Sequence, residues 1–387
     1  MTRITAIIIV SVMMAACGSK TTKPDTAQNG WLVTPKLHSV TVNDSFRKPL
    51  IERNRTVTIP YAFGKCEETG RIDNFAIAGG LKKGKHTGAR YNDSDVFKII
   101  EGACYSLLET PDPALRHYVD SLVTLIAAAQ EDDGYLYTTR TIDPVNMAPG
   151  AGKERWIDER VSHELYNVGH MYEAAVAHYL ATGSNSFLNV ALKNAELVAS
   201  EFGWGLREIA PGHQEIEIGL IKLYELTGND RWLELARFFI DVRGKQEEYT
   251  RHPAGSRFEV YNDSVYLQMH LPVLEQTEAV GHAVRGAYLY TAMADLSRVT
   301  GDNSYLEASE KIWHDVIRGK IYITGGIGSK EYGEAFGEAF ELPNMTAYTE
   351  TCASVANVFW NHRLYSATGK AKYLDVLERT LYNGLIS

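Results

Sequence analysis

"SHELYNVGHMYEAAVAHYLATG" (residues 162–183) runs directly into "SNSFLNVALKNAELV" (184–198), and that join decides the fold. The first segment carries apolar residues at helical spacing and ends in Thr-Gly, where a glycine can take the left-handed conformation that closes a helix. The second opens with a polar cluster, then an aromatic-leucine anchor and apolar residues three or four positions on. The same join returns in "QEIEIGLIKLYELTG" with "NDRWLELARFFIDV", in "EQTEAVGHAVRGAYLYTAMADLSRVTG" with "DNSYLEASEKIWHDV", and in "TCASVANVFWNHRLYSATG" with "KAKYLDVLERTLYN". The Thr-Gly steps fall at 182–183, 227–228, 300–301 and 368–369, with spacings of 45, 73 and 68 residues. This is a helical-hairpin repeat of irregular period.

An earlier pair, "DVFKIIEGACYSLLE" and "PDPALRHYVDSLVTLIAAAQ", has Pro111 and Pro113 at its second helix start and brings the count to ten helices in five hairpins. The expected fold is mainly α: an (α/α)6 barrel, or six-hairpin toroid. A closed ring needs twelve helices, so the barrel is expected to be incomplete at its C-terminus, where "LERTLYNGLIS" stops after a helix-ending Asn-Gly. An open solenoid is the rival, but long, unequal insertions between hairpins suit an enzyme whose loops gather at one end. Residues 38–63, with "SVTVNDSF" and "NRTVTIPYAF", alternate and carry β-branched residues, so a short N-terminal β-segment is expected.

Composition bounds the function. Of the 387 residues, 45% are hydrophobic and 22% charged, and the net charge is −9 without any basic block, which argues against a nucleic-acid partner. The first residues, "MTRITAIIIVSVMMAACGSK", read as a charged start, an apolar run too short to span a bilayer, and small residues before a cysteine. They resemble a bacterial lipobox with Cys17 as the lipidated residue. The expected organisation is a lipoprotein signal peptide over 1–17, a polar tether over 18–37 and a truncated catalytic domain over 38–387. The chain would then be an exported lipoprotein, periplasmic or outer-membrane associated, meeting the membrane through its lipid anchor only. Cys66, Cys104 and Cys352 show no disulfide spacing; Cys104 reads as buried filler, and Cys352 sits among carboxylates.

The chemistry concentrates in "EYGEAFGEAFELPNMTAYTETCA" (331–353), which follows the glycine-rich "YITGGIGSK". Glu350 and Cys352 are two residues apart, so an extended chain puts both on one side, and both residue types bind zinc. Two ligands make no site by themselves, and a helix start with an acidic first turn explains the pair equally well. Glu334 lies 16 residues before Glu350 and can serve as a carboxylic acid that protonates a leaving oxygen. Glu338, in the repeated "GEAF", is a rival for that role. His170 and His282 both follow Val-Gly at the start of hairpins; each is either a core histidine or a lining residue of the barrel interior. "EDDGYLYT" (131–138) and "CEETGRIDNF" (66–75) are mouth loops or simply well-formed turns.

Taken in order, "EETGRIDNF", "DGYL", "ELYNVGHMYEAAVAHY", "PGHQEIEIGLIKLYELTG", "EQTEAVGHAVR", "YITGGIGS", "GEAF", "LPN" and "ETCASVANVFWNHRL" resemble glycoside hydrolase family 127, from about residue 38 to the end of the chain. That family contains bacterial β-L-arabinofuranosidases. The resemblance implies an (α/α)6 catalytic barrel followed by β-sandwich domains, and retaining exo-cleavage with a zinc-bound cysteine thiolate as nucleophile. It implies Glu334 as acid/base, Glu350 and Cys352 as zinc ligands, and His282 and His170 as substrate contacts, with an arabinose-containing plant glycan as substrate. The two remaining zinc cysteines, one of them the nucleophile, belong in the family to a Cys-Cys pair opening the next helix, which residues 1–387 do not contain. The zinc site is therefore expected to be incomplete in this chain and the chain inactive by itself. Two other readings stay open: a non-catalytic, surface-anchored glycan-binding toroid, and another, zinc-independent (α/α)6 carbohydrate enzyme.

Overall fold

Residues 39–245 and 249–386 are described by a computed structural model, so the signal peptide, the Cys17 lipobox and the tether lie outside the described residues. The chain begins with α1 (Arg47–Arg53), a π-turn (Asn54–Thr58), α2 (Ile59–Glu68) and α3 (Arg71–Ala78). The first hairpin pairs α4 (Asp93–Glu109) with α5 (Pro113–Ala129), and the connection after it contains the short α6 (Thr138–Ile142) and α7 (Glu159–Ser162). Four more hairpins follow: α8 (Glu164–Thr182) with α9 (Ser186–Glu201), α10 (Ile216–Thr227) with α11 (Asp230–Asp241), α12 (Ala283–Thr300) with α13 (Asn303–Gly319), and α14 (Thr351–Thr368) with α15 (Ala371–Thr380). A second π-turn, Leu381–Leu385, ends the described chain.

The four Thr-Gly joins work alike. Gly183, Gly228, Gly301 and Gly369 have φ of 72°, 70°, 77° and 65°. Each donates its N–H to a carbonyl of the helix it closes: Tyr179, Tyr224, Ser297 and Tyr365. Each threonine hydroxyl donates 2.7 Å to the carbonyl four residues back and accepts the N–H two residues on, at 3.1–3.3 Å. At two of the joins Asn229 and Asp302 then cap the next helix by accepting a free N–H, as Asp112 does in the first hairpin, which has no Thr-Gly step. The join therefore satisfies backbone groups on both sides of a tight turn.

The first helices of the hairpins pack successively, α4 on α8, α8 on α10, α10 on α12 and α12 on α14, and form the inner wall of an (α/α)6-type barrel. Helices α8, α10 and α12 are buried almost all round, whereas α11, α13 and α15 bury one face each. Where α8 meets α10 the backbones nearly touch. A methyl group on Gly219 would lie 2.5 Å from the Gly169 carbonyl, and one on Gly169 would lie 2.6 Å from the Ile216 nitrogen.

The expected N-terminal β-segment is corrected. Among the described residues there are isolated bridges but no strands, and residues 47–68 are helical. Ile59, Phe63 and Cys66 are buried at helical spacing, while Val57 is 57% exposed. Burial of that stripe outweighs the strand preference of the threonines and valine, and Pro60 comes just after the π-turn, where the regular helical ladder is already interrupted. "CEETGRIDNF" is likewise the end of α2, a left-handed Gly70 and the start of α3. "EDDGYLYT" buries Tyr135, Leu136 and Tyr137 and serves packing.

Two glycine classes should separate on mutation. Gly183→Ala meets no atom, and should cost only the left-handed penalty of about 1–2 kcal/mol. Gly219→Ala should cost about 3 kcal/mol or more because two inner helices must part. Urea titration of both variants checks the order.

Candidate active site

The N-termini of the inner helices converge on one polar cavity of about 480 Å³. His282 is the N-cap of α12, Glu350 the N-cap of α14 and His163 the residue before α8, while Lys98 comes from the second turn of α4. Arg90, Tyr166, His213, Tyr266 and Arg285 complete the wall around Glu334 and Cys352.

Glu334 is placed by backbone. Lys330 and Ala335 exchange two hydrogen bonds of 3.0 Å, and the Phe336 N–H donates to the Gly281 carbonyl at 2.8 Å. This clips the first "GEAF" onto the residue preceding His282. Glu334 itself has φ of 52°, a conformation few non-glycine residues take, and Gly333 before it has φ of 74° against the Tyr266 ring. The second "GEAF" points elsewhere: Glu338 is exposed and lines a separate, smaller hollow with Tyr332 and Lys320. The choice that sequence left open between Glu334 and Glu338 thus has a geometric answer, because only Glu334 lines the cavity with Glu350 and Cys352.

His282 Nδ1 accepts the Val284 N–H at 3.2 Å as helix cap, so that nitrogen carries no proton. Its Nε2 then holds the hydrogen and donates it to Glu334 Oε2 at 2.9 Å. Burial lowers the His282 pKa to about 4 and keeps the ring neutral. The hydrogen bond from His282 holds the Glu334 carboxyl below its ordinary value.

The glycine run explains itself in place. A methyl group on Gly328 would lie 2.9 Å from the Ala283 Cβ, and the Gly328 carbonyl accepts the Thr349 N–H at 2.9 Å. "GGIGS" is therefore packed between the start of α12 and the strand-like approach to "ETC". Helix α14 starts at Thr351, so Cys352 is helical and not extended, and the Glu350 carboxyl still lies beside the Cys352 thiol. Burial, with the Glu350 carboxyl beside it, pushes the Cys352 thiol up to about 12, and burial also raises Glu350. Glu350 Oε2 has no hydrogen-bond partner. A carboxylate oxygen without a partner beside a thiol fits two positions of a zinc donor set. Cys66 and Cys104 are buried on α2 and α4 and do not line the cavity.

The two "VGH" histidines part company. His170 is mid-helix on α8, 4% exposed, and is not a lining residue; it stacks edge-on behind Tyr166 with centroids 4.7 Å apart. With Glu173 and Glu215 it places three metal-ligating atoms within 4.8 Å of one another, below the cavity. The lining histidines that sequence reasoning missed are His163 and His213. Their Nδ1 atoms lie 2.6 Å from the Val161 carbonyl and 2.9 Å from the Gln214 carbonyl, which fixes the proton on Nδ1 and leaves Nε2 to accept. Burial keeps both rings neutral. The signal was present: His163 directly precedes an inner helix, as His282 does, and His213 lies three residues before one.

A ring of helical hairpins with a carboxylate, a thiol and neutral imidazoles at one mouth defines a carbohydrate-active (α/α)6 protein. The family model described as β-L-arabinofuranosidase, GH127 catalytic domain, matches residues 39–387, and the chain belongs to that family. It is 39% identical over 327 residues to the non-reducing end β-L-arabinofuranosidase of Bifidobacterium longum subsp. longum, covering 82% of this chain and 49% of that protein. A solved GH127 β-arabinofuranosidase superposes with a TM-score of 0.86 at 50% identity, over 92% of this chain and 55% of the other. The GH127 β-L-arabinofuranosidase of Geobacillus stearothermophilus T6 gives 0.82 at 42% identity, over 89% and 55%. The chain thus spans about half the length of these relatives.

Removing the His282 donor takes stabilisation from the charged form of Glu334. His282→Ala should therefore raise the Glu334 pKa, while His282→Gln, which keeps an N–H, should move it less. Infrared titration of the carboxylate band, taken as a difference against Glu334→Gln, reads the shift.

Proposed function

We propose that this chain carries the acid/base and half of the metal site of a retaining exo-glycosidase that removes β-L-arabinofuranosyl or related sugars from plant-type glycans. The observation that carries the reading is the 2.9 Å contact between His282 and Glu334 in the cavity that also holds Glu350 and Cys352.

In this reading a terminal furanoside enters the cavity with its hydroxyls against the Nε2 atoms of His163 and His213 and the Arg285 guanidinium. Glu334 gives a proton to the departing glycosidic oxygen and later takes one from the incoming water. His282 orients Glu334 throughout, and its neutral ring can donate without competing for the transferred proton. The bond from His282 favours the ionised carboxyl, whereas a sugar covering it removes water and favours the protonated one. Glu350 and Cys352 would hold zinc, which when bound stabilises thiolate and supplies a Lewis acid. Lys98 lies close enough to stabilise negative charge on Cys352, and it is itself held by the Ser94 hydroxyl at 3.1 Å.

Localisation as an exported lipoprotein anchored at Cys17 is part of the same proposal, and it suits an enzyme that meets plant glycan outside the cell. Among the described residues no helix is long and apolar enough to cross a membrane.

The 387-residue chain alone should show no turnover of an aryl β-L-arabinofuranoside, because the family's Cys-Cys pair is not within it. A version extended through that pair should hydrolyse the substrate with retention, and Glu334→Gln in it should lose about 10²–10⁴-fold in kcat. Zinc-dependent turnover by the 387 residues alone would overturn the half-site reading, and sugar binding that persists in chelator without turnover by any version would favour the glycan-binding alternative. Cys17→Ser should shift the protein from the membrane to the soluble fraction on cell fractionation.

A further inference from the structure

Beneath the cavity, on the far side of Tyr166, lies a cluster that the proposed hydrolysis does not use. His170 and Glu173 come from one face of α8, Glu215 from the N-cap of α10, Lys222 from its second turn and Glu101 from α4. His170, Glu173 and Glu215 are 4%, 5% and 1% exposed. Lys222 is ion-paired to Glu173 Oε1 and lies 3.0 Å from Glu101. Glu173 Oε2, Glu215 Oε1 and His170 Nδ1 are left facing one another. Neither His170 nitrogen nor Glu215 Oε1 has a hydrogen-bond partner. His170 Nδ1 and Glu215 Oε1 are thus two buried polar atoms aimed at one point without partners, with Glu173 Oε2 beside them, and this is costly unless something occupies that point.

We propose that His170, Glu173 and Glu215 form a buried site for a first-row divalent cation, zinc or manganese, separate from the Glu350–Cys352 pair. Two features support it. The first is spacing. His170 Nδ1 is 3.1 Å from Glu215 Oε1 and 3.9 Å from Glu173 Oε2. Atoms at those two separations subtend roughly 95° and 135° at a cation with bonds of about 2.1 Å. One imidazole with two carboxylates suits zinc or manganese, whereas calcium wants more oxygens.

The second is charge. Glu101, Glu173 and Glu215 oppose one ammonium, Lys222. Arg363 also faces this cluster from α14, but its guanidinium is committed to Asp295 at 2.8 Å, which it shares with Arg298. Three carboxylates and one ammonium leave two negative charges, which one dication neutralises. Lys222 then becomes the partner that orients Glu173 from behind, as second hydrogen-bonding groups do around metal ligands. Lys98 also faces the cluster as a cation, but it is paired with Asp95 at 3.8 Å, and the Tyr105 and Tyr288 rings stay neutral. The alternative occupant is a proton shared between Glu173 and Glu215.

The site is independent of the hydrolase reading, and so is its test. In the 387-residue chain carrying Glu350→Gln and Cys352→Ser, the cavity pair cannot retain metal. After exposure to zinc or manganese and gel filtration, plasma mass spectrometry should find about one ion per chain, and chelator should lower the melting temperature. Adding Glu215→Gln should abolish the bound ion and the chelator effect while circular dichroism stays unchanged; His170→Gln should do the same. The proposal is overturned if the parent binds no metal, or if Glu215→Gln, an isostere of the protonated acid, leaves metal content or chelator response as it was.

Discussion

The mouth of the barrel depends on backbone hydrogen bonds between loops that are distant in sequence. Gly281 accepts from Phe336, Gly328 accepts from Thr349, and Lys330 pairs with Ala335. These contacts bring the start of α12, the two arms of the glycine-rich loop and the start of α14 into one layer. Glu334, His282, Glu350 and Cys352 have a common address only because of that layer. Each contact needs close backbone approach, and Gly328 supplies it where a side chain would strike Ala283. Two of the residues held there, Glu334 and Thr349, have positive φ without being glycine. Strain of this kind persists only where surrounding bonds over-determine the conformation.

Much of this was legible beforehand, for identifiable reasons. Thr-Gly is readable because both residues have a fixed local task, so four hairpins follow from it in the sequence, and Pro111 and Pro113 mark a fifth. The "ETC" pair is readable because its members are two residues apart. Glu334 was separable from Glu338 only in three dimensions, since the deciding bonds run to residues 281 and 282. The N-terminal segment misled because β-branched residues were weighed above a three-residue buried stripe, Ile59, Phe63 and Cys66. The histidines misled for a related reason. "VGH" looked like one motif, but Gly169 lets two helices touch while Gly281, at φ 67°, turns a loop. Similar letters served packing in one place and site-building in the other. Position within three residues of the start of an inner helix, shared by His163, His213 and His282, was the better guide.

Charge is distributed with depth. At the mouth the inner helices present their N-terminal ends, whose partial positive charge favours carboxylates and a thiolate. The histidines there are neutral and each has its Nδ1 state fixed by a backbone group, so they act as directed donors or acceptors of hydrogen bonds. Deeper, ionised groups occur in sets: Asp295 with Arg298 and Arg363, and Glu217 with Arg243 at 3.2 Å, both members fully buried. The set around Glu215 leaves both His170 nitrogens and one carboxylate oxygen without partners.

The tight joins and the long connections lie at opposite ends of the barrel. Every Thr-Gly turn closes a hairpin at the end away from the cavity, where two residues fix the geometry and nothing else is required. The long segments between hairpins all pass over the mouth. Lengthening such a loop adds little to its closure entropy. The molecule thus keeps its stability and its recognition surface in separate parts of the chain. A lineage can lengthen or replace the segments over the mouth, and reshape the cavity, without renegotiating the packing that holds the hairpins together.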